Sequence, residues 1–464
     1  MEFIIGLLLI CTFFALAYYC VKGYNLMIGF LVVTIVWTVL SLAGAGFASA
    51  EFIAENPVLQ FGDDFKSGLV GILNKIYQNA PEGWGTTLVN VCWGAWFGRV
   101  LMDTGIASTL IRKTVELGGD RPIITIILLN VVTAFIFTAM MGAGPVIAIG
   151  VIVLPILMSL GIPKAIAMFT FMGSVSAGMY LNPVLQFSQL RAFILPADEM
   201  EQFSFTWYAT HWGYYALAIS VVTVSILTAV YLKFGKKSHA WAAQPQMQQP
   251  KKDAPLIALL FPIVPVVLKI GFDFSVIGGF IIAGFAALFL CGRMRGTFKE
   301  NCQLVNKLYY DGVVDTAPLV GFLLTLPMFN ACAAYASPYF KEVIGGFMPT
   351  SEIVVCILFA ALAILGFFRG PFTLFGCGAA TLGVLSNVGH FSVPFLFCVF
   401  SIPATTVNVG SCITQSWIAW GLAYTKVESK EYLKLSIPFA YVTSICLYIL
   451  TAFTVTGLGA EWFL

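Results

Sequence analysis

The chain has 464 residues, 59% of them hydrophobic and only 10% charged, with a mean hydropathy of +0.92 and a formal net charge of +2. A soluble domain cannot cover that much apolar surface, whereas a bilayer removes the need. A net charge this small, with no basic tract, gives no sign of a nucleic-acid partner, and three distant histidines and eleven scattered cysteines without a C-x-x-C pair make no metal-ligand spacing.

Apolar segments of spanning length are expected, in chain order, near 2–20, 24–48, 85–110, 166–195, 206–233, 254–270, 275–291, 312–336, 392–425 and 435–458. Residues 1–20 lack a basic n-region, so they read as a retained span; "FASAEF" at 47–52 follows two hydrophobic segments and is not taken for a cleavage site. Two further apolar blocks, 122–160 and 350–387, are each long enough for two half-helices around a central Gly-Pro, and both are predicted to be re-entrant hairpins. The polar, Gln/Pro-rich and basic stretch 234–253 reads as a linker between halves 1–233 and 254–464.

Cations orient the chain. Lys22, Arg112, Lys113, Arg121, Lys164, Lys233, Lys236, Lys237, Lys251, Lys252, Arg293, Arg295, Lys299, Lys307, Lys426, Lys430 and Lys434 fall on one side if both hairpins return to the face they enter. The positive-inside rule makes that side cytoplasmic and places both termini outside an inner (plasma) membrane.

The halves resemble one another internally. "GPVIAIG" at 144–150 and "GPFTLFG" at 370–376 share the pattern G-P-x-x-x-x-G. Upstream, "LMDTGIAS" (101–108) sits opposite "MFNACAAYAS" (328–337); downstream, "GSVSAGMYLNPVLQFSQ" (173–189) sits opposite "SIPATTVNVGSCITQSW" (401–417). With five crossings and one hairpin per half, the second copy is upside down relative to the first. The expected fold is therefore an all-α polytopic membrane protein made of two inverted five-helix repeats, each with a re-entrant hairpin (122–160, 350–387) and a broken helix (166–195, 392–425).

In hydrocarbon an unpaired backbone amide costs several kcal/mol, so irregular backbone survives only against an enclosed cavity. The hairpin tips and the two breaks supply such backbone, with helix N-termini that favour anions. The candidate substrate-binding residues are Thr138, Gly142, Gly144, Ser174, Ser176, Asn182, Arg369, Gly370, Thr373, Thr405, Thr406, Asn408, Ser411 and Gln415. Gln186 and Thr414 belong to the same lining. Neutral hydroxyls and amides around one guanidinium suit a carboxylate bearing hydroxyl groups. Arg369 reads either as the carboxylate's partner or as a structural cation bonded to helix-end carbonyls. Asp315 and Asp103 are the candidate ion-coupling carboxylates; Arg99, four residues before Asp103, is expected to pair with it along one helix. His390 is a titratable loop residue, and Arg191 is expected to snorkel to the interface.

The inverted halves, each with a hairpin followed by a broken helix, resemble the ion transporter superfamily of secondary carriers. Within it, "FGRVLMDTGIASTLIRKTVELGGDRPIITIILLNVVTAFIF" (97–137) is similar to the corresponding region of the gluconate:proton symporter family, and "GLLLICTFFALAYYCVKGYNLMIGFLVVTIVWTVLSLAG" (6–44) to the start of that family and of the citrate–metal carriers. The resemblance implies an elevator-type carrier, usually a homodimer, that imports a small organic anion such as a sugar acid with H⁺ or Na⁺. It implies no other cofactor and no enzymatic activity. It places the site at Gly142–Pro145, Gly370–Pro371, Ser174–Pro183 and Thr405–Ser411. The tips depart from related patterns: neither carries Ser-Asn-Thr, and the first reads "MMGAG" where gluconate carriers have Phe-Phe-Asp. A cation/proton antiporter or anion exporter of the same fold is the alternative.

Overall fold

The computed structural model describes residues 1–22, 24–60, 65–119, 122–140, 142–195, 199, 202–234, 253–345, 349–376, 378–388 and 391–456. The linker within 235–252, together with Arg121 and His390, lies outside the described residues.

The described residues are helical throughout. Helices α1 (Glu2–Val21) and α2 (Leu26–Phe47) form an antiparallel pair, followed by short helices α3 (Ala50–Glu55), α4 (Phe65–Asn74) and α5 (Ala80–Gly83). The span expected at 85–110 ends early. Helix α6 (Gly85–Asp103) stops before Gly105, whose φ of +76° is readily adopted only without a Cβ, and α7 (Ile106–Gly118) starts in a new direction. The first hairpin follows as α8 (Pro122–Phe137) and α9 (Ala143–Ser159), and the first broken helix as α10 (Lys164–Met179), a π-helical turn Pro183–Ser188 and α11 (Gln189–Ile194). Then come α12 (Phe205–Tyr208) and α13 (Tyr214–Phe234), joined through a π-helical turn into one 30-residue apolar rod.

The second half opens with a 3₁₀ turn Leu256–Ile263 that leads into α14 (Val264–Phe272), then α15 (Val276–Leu290). The span expected at 312–336 is the middle of α16 (Phe298–Ile344), an uninterrupted helix of 47 residues. A capping box starts it: Glu300 N–H donates to Thr297 Oγ1, and Thr297 N–H donates to Glu300 Oε2. Where the first half breaks at Thr104–Gly105, α16 carries the Ala-rich run Ala331–Ala336, strong helix formers that let it continue. The second hairpin comprises α17 (Glu352–Ala361), a 3₁₀ arm Ala363–Arg369 bent by 66° and α18 (Gly378–Val388). The second broken helix comprises α19 (Val393–Ile402), a π-helical turn Pro403–Val409 and α20 (Ser416–Thr425); α21 (Ser429–Thr454) ends the fold.

The helices sort into two packed groups. Helix α16 lies against α1, α2 and α6, with α15 beside α6 and α14 beside α15, forming a bundle. Helix α10 lies against α8, α9, α13, α21 and the Pro403–Val409 turn, forming a hairpin layer. Helix α7 packs along α8 and α9, and α18 lies on α16. Trp37 of α2 fixes part of the bundle, its ring 4.9 Å from Phe329 and 5.1 Å from Phe340.

Polarity is inside out relative to a soluble protein. Helix α21 buries Ser436, Thr443, Ser444 and Thr451 and exposes Val442, Ile445, Ile449 and Phe453; α2 exposes Ile28, Val32, Ile35 and Val39. Apolar exposure at helical spacing over whole spans belongs to a lipid-facing surface. Met27–Phe47, Phe205–Phe234 and Ser429–Thr454 are each long and apolar enough to cross a membrane unaided. The protein is an all-helical polytopic membrane protein whose two halves each hold a hairpin and an interrupted helix.

Candidate functional site

The site is built from two interrupted helices that cross. Tyr180 of the first shares a hydrogen bond of 2.6 Å with Thr406 of the second, and Gln186 Nε2 donates to Ser401 O at 3.3 Å. Ser176 packs so closely on Gly410 that a Cβ there would fall 2.5 Å from its Oγ. The contacts 176–410, 180–406 and 186–401 run antiparallel. All these residues are buried.

Each break holds its own hairpin. Asn182, in the gap after α10, donates through Nδ2 to Phe137 O (3.2 Å) and Met140 O (3.1 Å) of the first tip, while its Oδ1 accepts from Val184 N–H. It thereby closes helix-end carbonyls that lipid would leave unpaired. At the second tip Phe368 N–H donates to Cys412 Sγ, and Arg369 donates to Phe375 O (3.2 Å) and to Gln415 Oε1 (3.0 Å). Arg369 is thus bonded to a carbonyl of its own tip and to the side-chain amide of the second break. Phe368 and Arg369 both have left-handed φ, +54° and +62°. Non-glycine residues in that region each cost on the order of 1–3 kcal/mol, and the guanidinium contacts hold the turn against that cost.

The remaining candidates divide into two sets. Ser174 Oγ donates to Asn130 Oδ1 and Thr170 O, and Asn130 reaches Ser225, so this hydroxyl ties α10 to α8 and α13. Thr138 donates to Phe135 O, Ser176 to Gly173 O and Ser411 to Thr406 O, each within its own segment. By contrast, Thr373 Oγ1, Thr405 Oγ1 and Asn408 Oδ1 are buried with no hydrogen-bond partner among the described residues. Burying such a group costs about 1–3 kcal/mol, so a partner is demanded of whatever enters. Among the other residues that share that condition, Ser401 Oγ and both amide atoms of Gln189 lie on the two interrupted helices and were missed in the sequence. The signal was present, since Gln189 follows Gln186 by three residues in the same interrupted segment.

The carboxylates are placed differently from expectation. Arg99 does not pair with Asp103. Its Nη2 reaches Asp315 Oδ1 at 2.6 Å, across from α6 to α16, and Asp103 takes Arg293 through both oxygens at 2.6 and 2.9 Å. An Arg placed before an acid along a helix is the weaker i, i+4 order, and a neighbouring helix offers better geometry. Asp315 is also where the first hairpin rests. A Cβ on Gly144 would sit 2.2 Å from Asp315 Oδ2, and one on Gly142 3.6 Å from the Thr316 methyl. The carboxylate therefore abuts the electropositive start of α9, and its Oδ2 has no hydrogen-bond partner among the described residues. The second hairpin meets the same helix higher up, Gly383 against Ala333 and Ser337, about 27 Å further along at 1.5 Å per residue. Arg191, expected to snorkel, donates to Phe203 O and lies over the Phe187 ring.

No protein-family model matches this chain, and no curated protein sequence matches it significantly. Among solved structures it is similar to the YdaH transporter of Alcanivorax borkumensis, described as having an unusual topology, at 13% sequence identity and a TM-score of 0.56, over 93% of this chain and 99% of that one. At that identity the likeness concerns the fold: this chain shares, over nearly its whole length, the architecture of a membrane transporter.

Proposed function

We propose that the protein is a secondary active transporter that imports a small organic anion, such as a sugar acid or hydroxycarboxylate, by symport with H⁺ or Na⁺. The observation that carries this reading is that Thr373 of the second tip and Thr405 and Asn408 of the second break are buried with polar atoms that have no hydrogen-bond partner among the described residues. Hydroxyl and amide oxygens replace the water around a hydroxylated anion or Na⁺, and Arg369 beside them carries the complementary charge. The fold shared with a known transporter supports the class, and the resemblance to gluconate and citrate carriers supports the substrate type. Asp315, and less directly Asp103, are the proposed coupling carboxylates. The hairpin layer would move against the bundle in an elevator motion, with the first tip leaving its seat at Asp315. A homodimer in the inner membrane, both termini outside, completes the proposal, with no enzymatic step and no cofactor beyond the coupling ion. An antiporter or exporter of the same fold is less well supported, because no described residue of either tip or break is a carboxylate.

The test is uptake of labelled gluconate and related hydroxy acids into proteoliposomes under an imposed H⁺ or Na⁺ gradient. Accumulation that collapses with one gradient is expected. Uptake indifferent to both gradients would remove coupling, and no uptake of any carboxylate would remove the substrate class.

A further inference from the structure

A cavity of about 730 Å³ lies well away from the crossed helices, among α6, α15 and the beginning of α16. Its inner end is aromatic: Trp93 meets Tyr309 (5.6 Å) and Trp96 (5.5 Å), and Trp96 meets Phe285 (5.6 Å). Its outer end is Phe289, Met294, Phe298 and Asn301. Depth follows from the helices. Phe298–Asp311 of α16 carries Lys299, Glu300, Asn301, Gln303, Asn306, Lys307 and Asp311, whereas only Asp315 is charged from Gly312 to Phe340. The polar boundary of the bilayer therefore crosses that first stretch. Tyr309 lies eleven residues beyond Phe298, about 17 Å further along the helix. The groove runs from the polar first turns of α16 inward, with Phe289, Met294, Phe298 and Asn301 at its outer end and an aromatic cluster at its inner end.

The charges at the mouth are unbalanced. Arg293 is taken by Asp103, and Glu300 by the Thr297 cap. Arg295 and Lys299, the chain neighbours of Met294 and Phe298, have no acidic partner among the described residues. The buried Trp96 lines the groove, and its Nε1 has no hydrogen-bond partner among them either.

We infer that this groove binds one anionic phospholipid, with an acyl chain along Trp93, Trp96 and Tyr309 and the phosphate at Arg295 and Lys299. An apolar tail alone would be satisfied by any lipid; two unmatched cations at headgroup depth select a negative one. Each such cation contributes roughly a factor of five, so enrichment over a zwitterionic lipid is about twenty-five-fold.

The experiment uses the full chain in vesicles of phosphatidylcholine containing a minor fraction of phosphatidylglycerol with brominated acyl chains, which quench nearby tryptophan. Quenching of the emission that Trp93→Phe and Trp96→Phe remove should exceed that given by brominated phosphatidylcholine at the same fraction. The excess should vanish in the Arg295→Gln/Lys299→Gln variant, whose gradient-driven uptake stays intact. Equal quenching by both headgroups would overturn the proposal in favour of bulk lipid. Quenching that falls as protein density rises would overturn it in favour of a second copy of the chain. Neither result depends on the transported substrate.

Discussion

The two hairpin tips carry the same G-P-x-x-x-x-G motif and fold differently. In the first, Gly142 turns the chain at φ +92° and α9 begins at once, so Gly144 and Pro145 lie in its first turn, where proline is tolerated. In the second, Gly370 and Pro371 lie before the helix, and α18 does not start until Gly378. Phe368 and Arg369 occupy left-handed backbone, and Gly376 N–H and Gly378 N–H donate to Thr373 O. The first tip is a helix end resting on another helix's carboxylate; the second is a turn held by its own arginine. A shared motif fixed where the chain reverses. The neighbours, Ala and Val–Ile in one copy against Phe-Phe-Arg before and Phe-Thr-Leu-Phe after the Gly-Pro in the other, accompany whether a helix resumes at once.

Removing the arginine should separate the tips most sharply. Arg369→Gln loses charge-assisted bonds to Phe375 O and Gln415 Oε1, about 3 kcal/mol together, and leaves the left-handed turn unsupported. Amide exchange across 368–376 should then rise on the order of a hundredfold, with 138–146 unchanged. A similar rise at both tips would show that they are mechanically one unit. In the first tip the matching experiment is steric. Gly144→Ala drives a methyl into the Asp315 carboxylate, at an overpacking cost of about 1–3 kcal/mol. Uptake and thermal stability should both fall, and Asp315→Ala in the same chain should restore part of the stability. Gly370→Ala should have no such second-site relief, because its Cβ would meet the backbone Leu365 O at 2.2 Å.

Asn182→Ala should loosen the first tip more modestly. It removes two neutral hydrogen bonds to that tip, about 1 kcal/mol each, so exchange at 138–146 rises roughly thirtyfold while 368–376 stays protected. Smallest is the charge comparison. Asp315→Asn strips a partly buried pair, 14% and 27% exposed, and should lower unfolding stability by about 1–3 kcal/mol. Asp103→Asn breaks a pair whose arginine is 44% exposed and should cost less than about 1 kcal/mol. Equal losses would mean that Asp315 is more wetted than its Oδ2 contacts indicate.

Much of this architecture is legible in the sequence because lipid imposes it. Long apolar runs, two Gly-Pro reversals and a polar break after each hairpin leave few alternatives once every backbone amide must be satisfied inside the membrane. What failed were inferences about side-chain partners. Arg99 and Asp103 are neighbours on paper, yet the bundle offers each a better ion on another helix. Helix length was also misjudged in α16, where alanines replace the Thr-Gly that stops α6.

By itself, then, the sequence determined that the chain spans a membrane in many apolar helices and breaks them at its Gly-Pro pairs, since hydropathy and backbone satisfaction act locally along the chain. Only the tertiary structure decided that Thr373, Thr405 and Asn408 are left unpartnered while Ser174 is consumed in packing, and that Asp315 supports a hairpin. Those outcomes depend on which polar groups from distant segments arrive within about 3 Å of each other, and no local pattern encodes that arrival.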